Sequence, residues 1–113
     1  VVVLLLSATT GSASPHSDYM LHCMGCHLAD GAGAPSAGIP RFAGRIGYYL
    51  DTAEGRAYLA QVPGAADAAL DDRALAAVLN WIVEYFAAES LPSDFAPYDA
   101  AEVGRYRSNR PVE

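Results

Sequence analysis

Cys23-Met24-Gly25-Cys26-His27 constrains this chain more than any other segment. The pattern is C-x-x-C-H, the attachment signal for a c-type haem. Two thiols three positions apart can each form a thioether to a haem vinyl group. The histidine that follows is then held beneath the porphyrin, where an imidazole nitrogen can bind iron. Three other uses of the same residues compete. A thiol–disulfide redox pair sits at a helix start within a βαβ pattern, and no such strand pattern is visible. A structural zinc site needs four ligands, and His22, Cys23, Cys26 and His27 are bunched together with no second half-site. A plain disulfide has no use for His27. Haem attachment is the reading adopted.

At 113 residues the expectation is one small domain. Such a domain has a modest core, and a covalent haem would supply much of its apolar interior. A net charge of −6 argues against nucleic acid, and so does the absence of lysine, all seven cations being arginine. Arg105, Arg107 and Arg110 crowd together near the C-terminus and read as a solvated tail.

Residues 1–6 form an uninterrupted apolar run, followed by small and polar residues at 7–14. Residues 1–14 are read as the remnant of a secretory signal peptide, with Gly11 and Ala13 as candidate −3 and −1 sites. The apolar run is too short to span a bilayer as it stands, so no stable membrane span is expected in the mature chain.

Residues 15–90 are expected to form the haem domain and residues 91–113 a C-terminal extension with a short helix. Ser17 or Asp18 is placed to cap a helix over 17–26. Residues 30–47, with Gly31, Gly33, Pro35, Gly38, Pro40, Gly44 and Gly47, read as a loop. Residues 48–50 and 56–61 read as short helices, and Pro63-Gly64 as a turn. The clearest element is 72–88, where Leu75, Val78, Leu79, Ile82 and Phe86 recur at helical spacing. Ala74, Trp81 and Tyr85 widen that face, and Asp71 or Asp72 caps it. Asp99 and Glu102 have the spacing of a capping box that opens a final helix to about Arg107. No segment alternates with period two, so the fold is expected to be all-α.

Residues 19–88 resemble a small class I, mono-haem c-type cytochrome. The features that carry the resemblance are Tyr19 four positions ahead of Cys23, Gly31 and Gly33 after His27, the Pro40-Arg41-Phe42-Ala43-Gly44 loop, and a long last core helix with Trp81 and Tyr85. The resemblance implies one covalent haem c, held through Cys23 and Cys26, with His27 as the iron ligand. It implies that the Pro40 carbonyl accepts the other ring N–H of His27, fixing the tautomer. It also implies that the N- and C-terminal core helices cross, burying Tyr19 against Trp81 or Tyr85. Arg41 and Tyr48, with Arg45 and Tyr49, lie where such folds often place haem-propionate partners.

The chain departs from that family in one respect. The usual distal Met-Pro is replaced by Val62-Pro63, and after His27 there is no His, Met, Cys or Lys at all. Met20 is expected to pack as core, Met24 is confined to the motif, and His22 is expected to point away from the ring. Three arrangements stay open: iron that is five-coordinate or binds water, an internal ligand led by His16 with a Tyr or Gln61 behind it, or a ligand lent by another chain. The resemblance implies a periplasmic electron carrier rather than an enzyme, taking single electrons from a redox partner such as a periplasmic dehydrogenase. Loss of the Met thioether is expected to lower its potential. The alternative is a five-coordinate haem protein that binds or senses NO or CO in an apolar pocket. A peroxidase is disfavoured, because no distal acid–base His lies downstream of His27.

Overall fold

The computed structural model describes residues 13–111. The apolar run at residues 1–6, and the segment after it up to residue 12, lie outside the described residues. The described residues are all-α, with no strand among them beyond a single bridge between Ala34 and Ile39.

The first helix, α1, spans Pro15–His22. Its cap is Ser14, whose side chain accepts from the Ser17 N–H at 3.2 Å, and not Ser17 or Asp18. Pro15 explains the shift: proline lacks the N–H that a first helical position leaves orphaned, and its φ is already helical. The helix expected over 17–26 is interrupted at Cys23, where φ −127° and ψ −37° end α1 and a single turn, α2 (Met24–His27), follows. A long loop then leads through 3₁₀ turns at Pro35–Ala37 and Ile46–Asp51. Next comes α3 (Ala53–Gln61), capped by Thr52. The Pro63-Gly64 turn is one helical turn, α4 (Pro63–Ala66).

The fold is organised on α5 (Asp72–Ala87), which Asp71 caps through the Ala74 N–H at 2.7 Å. Leu75, Val78, Leu79, Ile82 and Phe86 are all buried, as their spacing predicts. Each such side chain contributes about 1.5–3 kcal/mol on burial. The first helix packs on this face. Tyr19, 1% exposed, lies between Trp81 and Phe86 at ring distances of 5.2 and 5.3 Å. Tyr85 is 66% exposed and not core; it stacks on Trp81 from the solvent side at 4.6 Å. Met20 also differs from its expectation, being 48% exposed on α1.

Residues 91–111 fold back on this frame. Asn80 exchanges two hydrogen bonds with the Tyr98 backbone, at 2.7 and 3.0 Å. The Tyr98 hydroxyl donates to the Arg56 carbonyl at 2.7 Å. The last helix, α6 (Ala100–Ser108), is capped by Asp99, and its Val103 is fully buried. Glu102 does not complete the expected capping box. It accepts instead a two-pronged bond from Arg56, at 2.6 and 2.8 Å, and the Tyr106 hydroxyl at 2.7 Å. A charge-assisted fork outcompetes a return bond to the cap N–H. The extension is therefore packed against α3 and α5, and two of its three arginines are not a solvated tail: Arg107 pairs with Asp72 and Arg110 with Asp67, while Arg105 is exposed as expected.

The hydrogen bonds from Arg56 hold the Glu102 carboxyl below the ordinary carboxylate range, against an opposing effect of burial. A depressed folded-state pKa contributes stability that is full above the unfolded value of about 4.3 and is lost as pH falls through the folded value. The expected result is a urea midpoint that declines below about pH 4.3. In Glu102→Gln this component of the decline disappears, and the midpoint at neutral pH drops. Urea titrations of both proteins across pH 3–7 check it. No helix among the described residues is long and apolar enough to cross a membrane.

Candidate functional site

The C-x-x-C-H segment opens onto a cavity of about 450 Å³. That lies within the range of about 300–1,000 Å³ typical of cofactor sites. One part of its lining is His22, Cys23, Cys26 and His27, with Pro40 and Phe42 from the loop. A second part is the aliphatic face of α5: Leu75, Val78, Leu79 and Ile82. A third is the segment after α3, contributing Val62, Pro63, Gly64, Ala65, Ala68 and Leu70. None of these last ten side chains carries a metal donor. Tyr49 and Tyr58 border the cavity as a stacked pair, 5.7 Å between rings.

The motif is held from both sides. The α2 turn places Cys23, Cys26 and His27 on one short stretch of backbone. Cys23 is half-buried and Cys26 exposed, and the two thiols are free. Burial, reinforced by Asp18 and Cys26, pushes the Cys23 thiol up to about 11. Behind His27, Leu28 has φ 67° and ψ 165°, a region costly for any residue but glycine. Its carbonyl is pinned there by the Tyr19 hydroxyl at 2.5 Å and the Gly31 N–H at 3.2 Å. The place of Tyr19 four residues ahead of the motif thus has a local cause: it fixes the exit of the chain from His27.

His27 Nδ1 lies 3.1 Å from the Pro40 carbonyl oxygen. A carbonyl only accepts, so Nδ1 carries the proton and Nε2 keeps its lone pair. Burial lowers the His27 pKa, opposed in part by this bond, which favours the neutral ring that ligates metals. Phe42 stacks on the imidazole at 3.8 Å. The Pro40 carbonyl is itself positioned by the bridge between Ala34 and Ile39 and by Gly33, whose N–H donates to the His27 carbonyl at 3.0 Å.

Among the other residues singled out from sequence, Arg41 lines the cavity, its Nε donating to the Ala43 carbonyl at 3.1 Å. Tyr48 is 61% exposed and does not line the cavity; its neighbour Tyr49 does. Successive residues of the 3₁₀ turn point about a third of a revolution apart, so only one of the two can face inward. His22 is exposed and is among the residues bordering the cavity. His16 lies elsewhere, stacked on Trp81 at 5.1 Å. Gln61 is turned towards α6, its amide donating to the Tyr106 and Asn109 carbonyls at 3.4 and 3.1 Å. Neither His16 nor Gln61 is in the lining. Tyr58 was not singled out by number; nothing in its local pattern distinguishes it from other exposed tyrosines.

The donor set suits a c-type haem. Two thiols and the tautomer-fixed imidazole of His27, with His22, Arg41, Tyr49 and Tyr58 also on the border, adjoin a cavity whose remaining lining is largely apolar, which suits a flat apolar macrocycle with polar edge groups needing one protein ligand to iron. No group of three or more His, Cys, Asp or Glu side chains among the described residues is arranged to hold a metal ion directly. A haem iron, bound mainly by its porphyrin, needs no such group. No family model and no curated protein matches the chain.

Proposed function

We propose that this chain is a small c-type cytochrome that carries single electrons. The observation behind it is the juxtaposition of Cys23, Cys26 and His27 with a cavity of about 450 Å³ lined mainly by aliphatic side chains. Cys23 and Cys26 would hold the haem covalently, and His27 Nε2 would bind iron. Bound there, haem supplies a one-electron couple. The chain's own residues do the rest. Pro40 fixes the imidazole tautomer and raises its basicity. Ile46 and the α5 face exclude water. Tyr49, Tyr58 and Arg41 border the opening and offer polar groups to a ligand seated there. Attachment of this kind belongs with export to the periplasm, where a redox partner such as a dehydrogenase would supply electrons.

A second reading, binding of NO or CO, is favoured by one observation. The stretch 62–70 and the α5 face bring no sulfur or nitrogen side chain to the cavity, and His16 and Gln61 are engaged elsewhere. The wall formed by these two segments offers no side-chain hydrogen-bond donor, which suits NO or CO better than O₂.

The test is an absorption spectrum of the exported protein: oxidised, reduced, and reduced under CO. A sharp low-spin spectrum unmoved by CO is the result expected of an electron carrier with six-coordinate iron. A high-spin spectrum that shifts with CO selects gas binding. A chain that leaves export without covalent haem refutes both.

A further inference from the structure

The cavity stretch 62–70 is made largely of small residues and one turn of helix, whose backbone bonds are all local, between residues no more than four apart. Its side-chain restraints from elsewhere in the fold come from the C-terminal segment. Arg107 Nη1 donates to the Leu70 carbonyl at 2.8 Å and to Asp72 at 3.0 Å, while Nη2 donates to the Ala68 carbonyl at 3.1 Å. Arg110 forks onto Asp67 at 2.6 and 3.2 Å. Gln61, immediately ahead of the stretch, is bonded to Asn109 and Tyr106. The stretch is therefore gripped at its start, middle and end, in each case by α6 or the residues just after it. Arg107 is mostly buried, its side chain 18% exposed. Buried charge-assisted bonds to carbonyls are strong and directional.

We propose that the C-terminal helix is a latch on the cavity wall, and that Arg107 is its principal positioning residue. With the latch closed, Val62, Ala65, Ala68 and Leu70 stay seated at the cavity, and a small neutral ligand must displace them to enter. The role at the iron rests on the haem reading above; the grip on 62–70 does not.

The experiment uses the full chain as exported, unmodified and as Arg107→Ala, with two readouts. The first is hydrogen exchange. The Ala66, Asp67 and Ala68 N–H groups are bonded within the stretch, to Val62, Pro63 and Ala65. In Arg107→Ala their exchange is expected to quicken by about tenfold or more, as a local opening, with α5 unchanged. The second is imidazole, added as a probe ligand and followed by the haem spectrum. Its association is expected to quicken by a comparable factor.

Should Arg107→Ala lose protection throughout, the milder Gln61→Ala/Arg110→Ala double variant decides in its place, with about threefold faster exchange expected in 62–70. Unchanged exchange there in a folded variant overturns the latch. So does faster exchange with unaltered imidazole association. A chain without haem defeats the reading of the previous section, and the exchange measurement then decides the grip by itself.

Discussion

Replacing Cys23 and Cys26 together by alanine is expected to abolish covalent haem completely. On a denaturing gel stained for haem the band vanishes, and the intact mass equals that of the polypeptide. Either single variant retains one possible thioether and is expected to give a weaker band. His27→Ala keeps both thiols, so it retains covalent haem with an altered spectrum. That contrast separates attachment from ligation. A double variant that still carries haem through a denaturing gel would defeat the assignment.

The same double variant should also fail to pack. Without the macrocycle, Leu75, Val78, Leu79 and Ile82 face an open cavity of about 450 Å³ instead of a packing partner. A small domain of about 5–15 kcal/mol total stability is sensitive to such a loss. The expected state keeps helical far-ultraviolet dichroism and loses the near-ultraviolet signal of fixed aromatic packing. Near-ultraviolet spectra identical to those of the haem-loaded chain would show that the cavity does not need filling.

Gly33→Ala is expected to be strongly damaging, because it combines a left-handed backbone with a clash against main chain. Gly33 has φ +60°, and an added Cβ would sit 2.8 Å from the Ile39 carbonyl oxygen and closer still to that of Pro40. The backbone conformation costs about 1–2 kcal/mol for an L side chain. Overpacking against main chain costs a further ~1–3 kcal/mol. The melting temperature should fall by about 10 °C or more. The displaced group is the carbonyl that receives His27 Nδ1–H, so the His27 ring N–H resonance should shift or disappear in NMR spectra. Gly25→Ala is the control: nothing lies within 4 Å of the Cβ it would add, and the motif is preserved. Equal melting temperatures for the two variants would refute the close approach at Gly33.

The long helix was legible because its signals agree. Leu75, Val78, Leu79, Ile82 and Phe86 give one face, and Asp71 a capping side chain. Asp99 was legible as a cap for the same reason, yet Glu102 was not legible as an Arg56 partner. That pairing joins residues 46 apart, and spacing within one helix carries no information about it. Arg107 and Arg110 failed in the same way, though the exposed Arg105 did not. Clustered charge reads as solvated tail until the fold brings carbonyls and carboxylates to meet it.

The motif and its Pro40 partner were accessible from sequence, the first by spacing and the second only through family resemblance. The cavity's other sides were not. Whether Tyr48 or Tyr49 faces inward depends on the phase of a six-residue 3₁₀ turn, which composition does not set. His16 was a plausible ligand on a free arm, and it is instead a ring stacked on an indole. The start of α1 was misplaced by three or four residues, because Ser14-Pro15 outranks Ser17 and Asp18 as a start signal.

Trp81 is the only tryptophan in the chain. Its ring sits among His16 and Tyr19 from α1 and Tyr85 and Phe86 from its own helix. The chain thus carries a single indole, which red-edge excitation selects over its seven tyrosines, at the seam between its first and its longest helix. Its emission will report when those two helices part, whatever happens at α6, and so can time the loosening of one end of the molecule separately from the other.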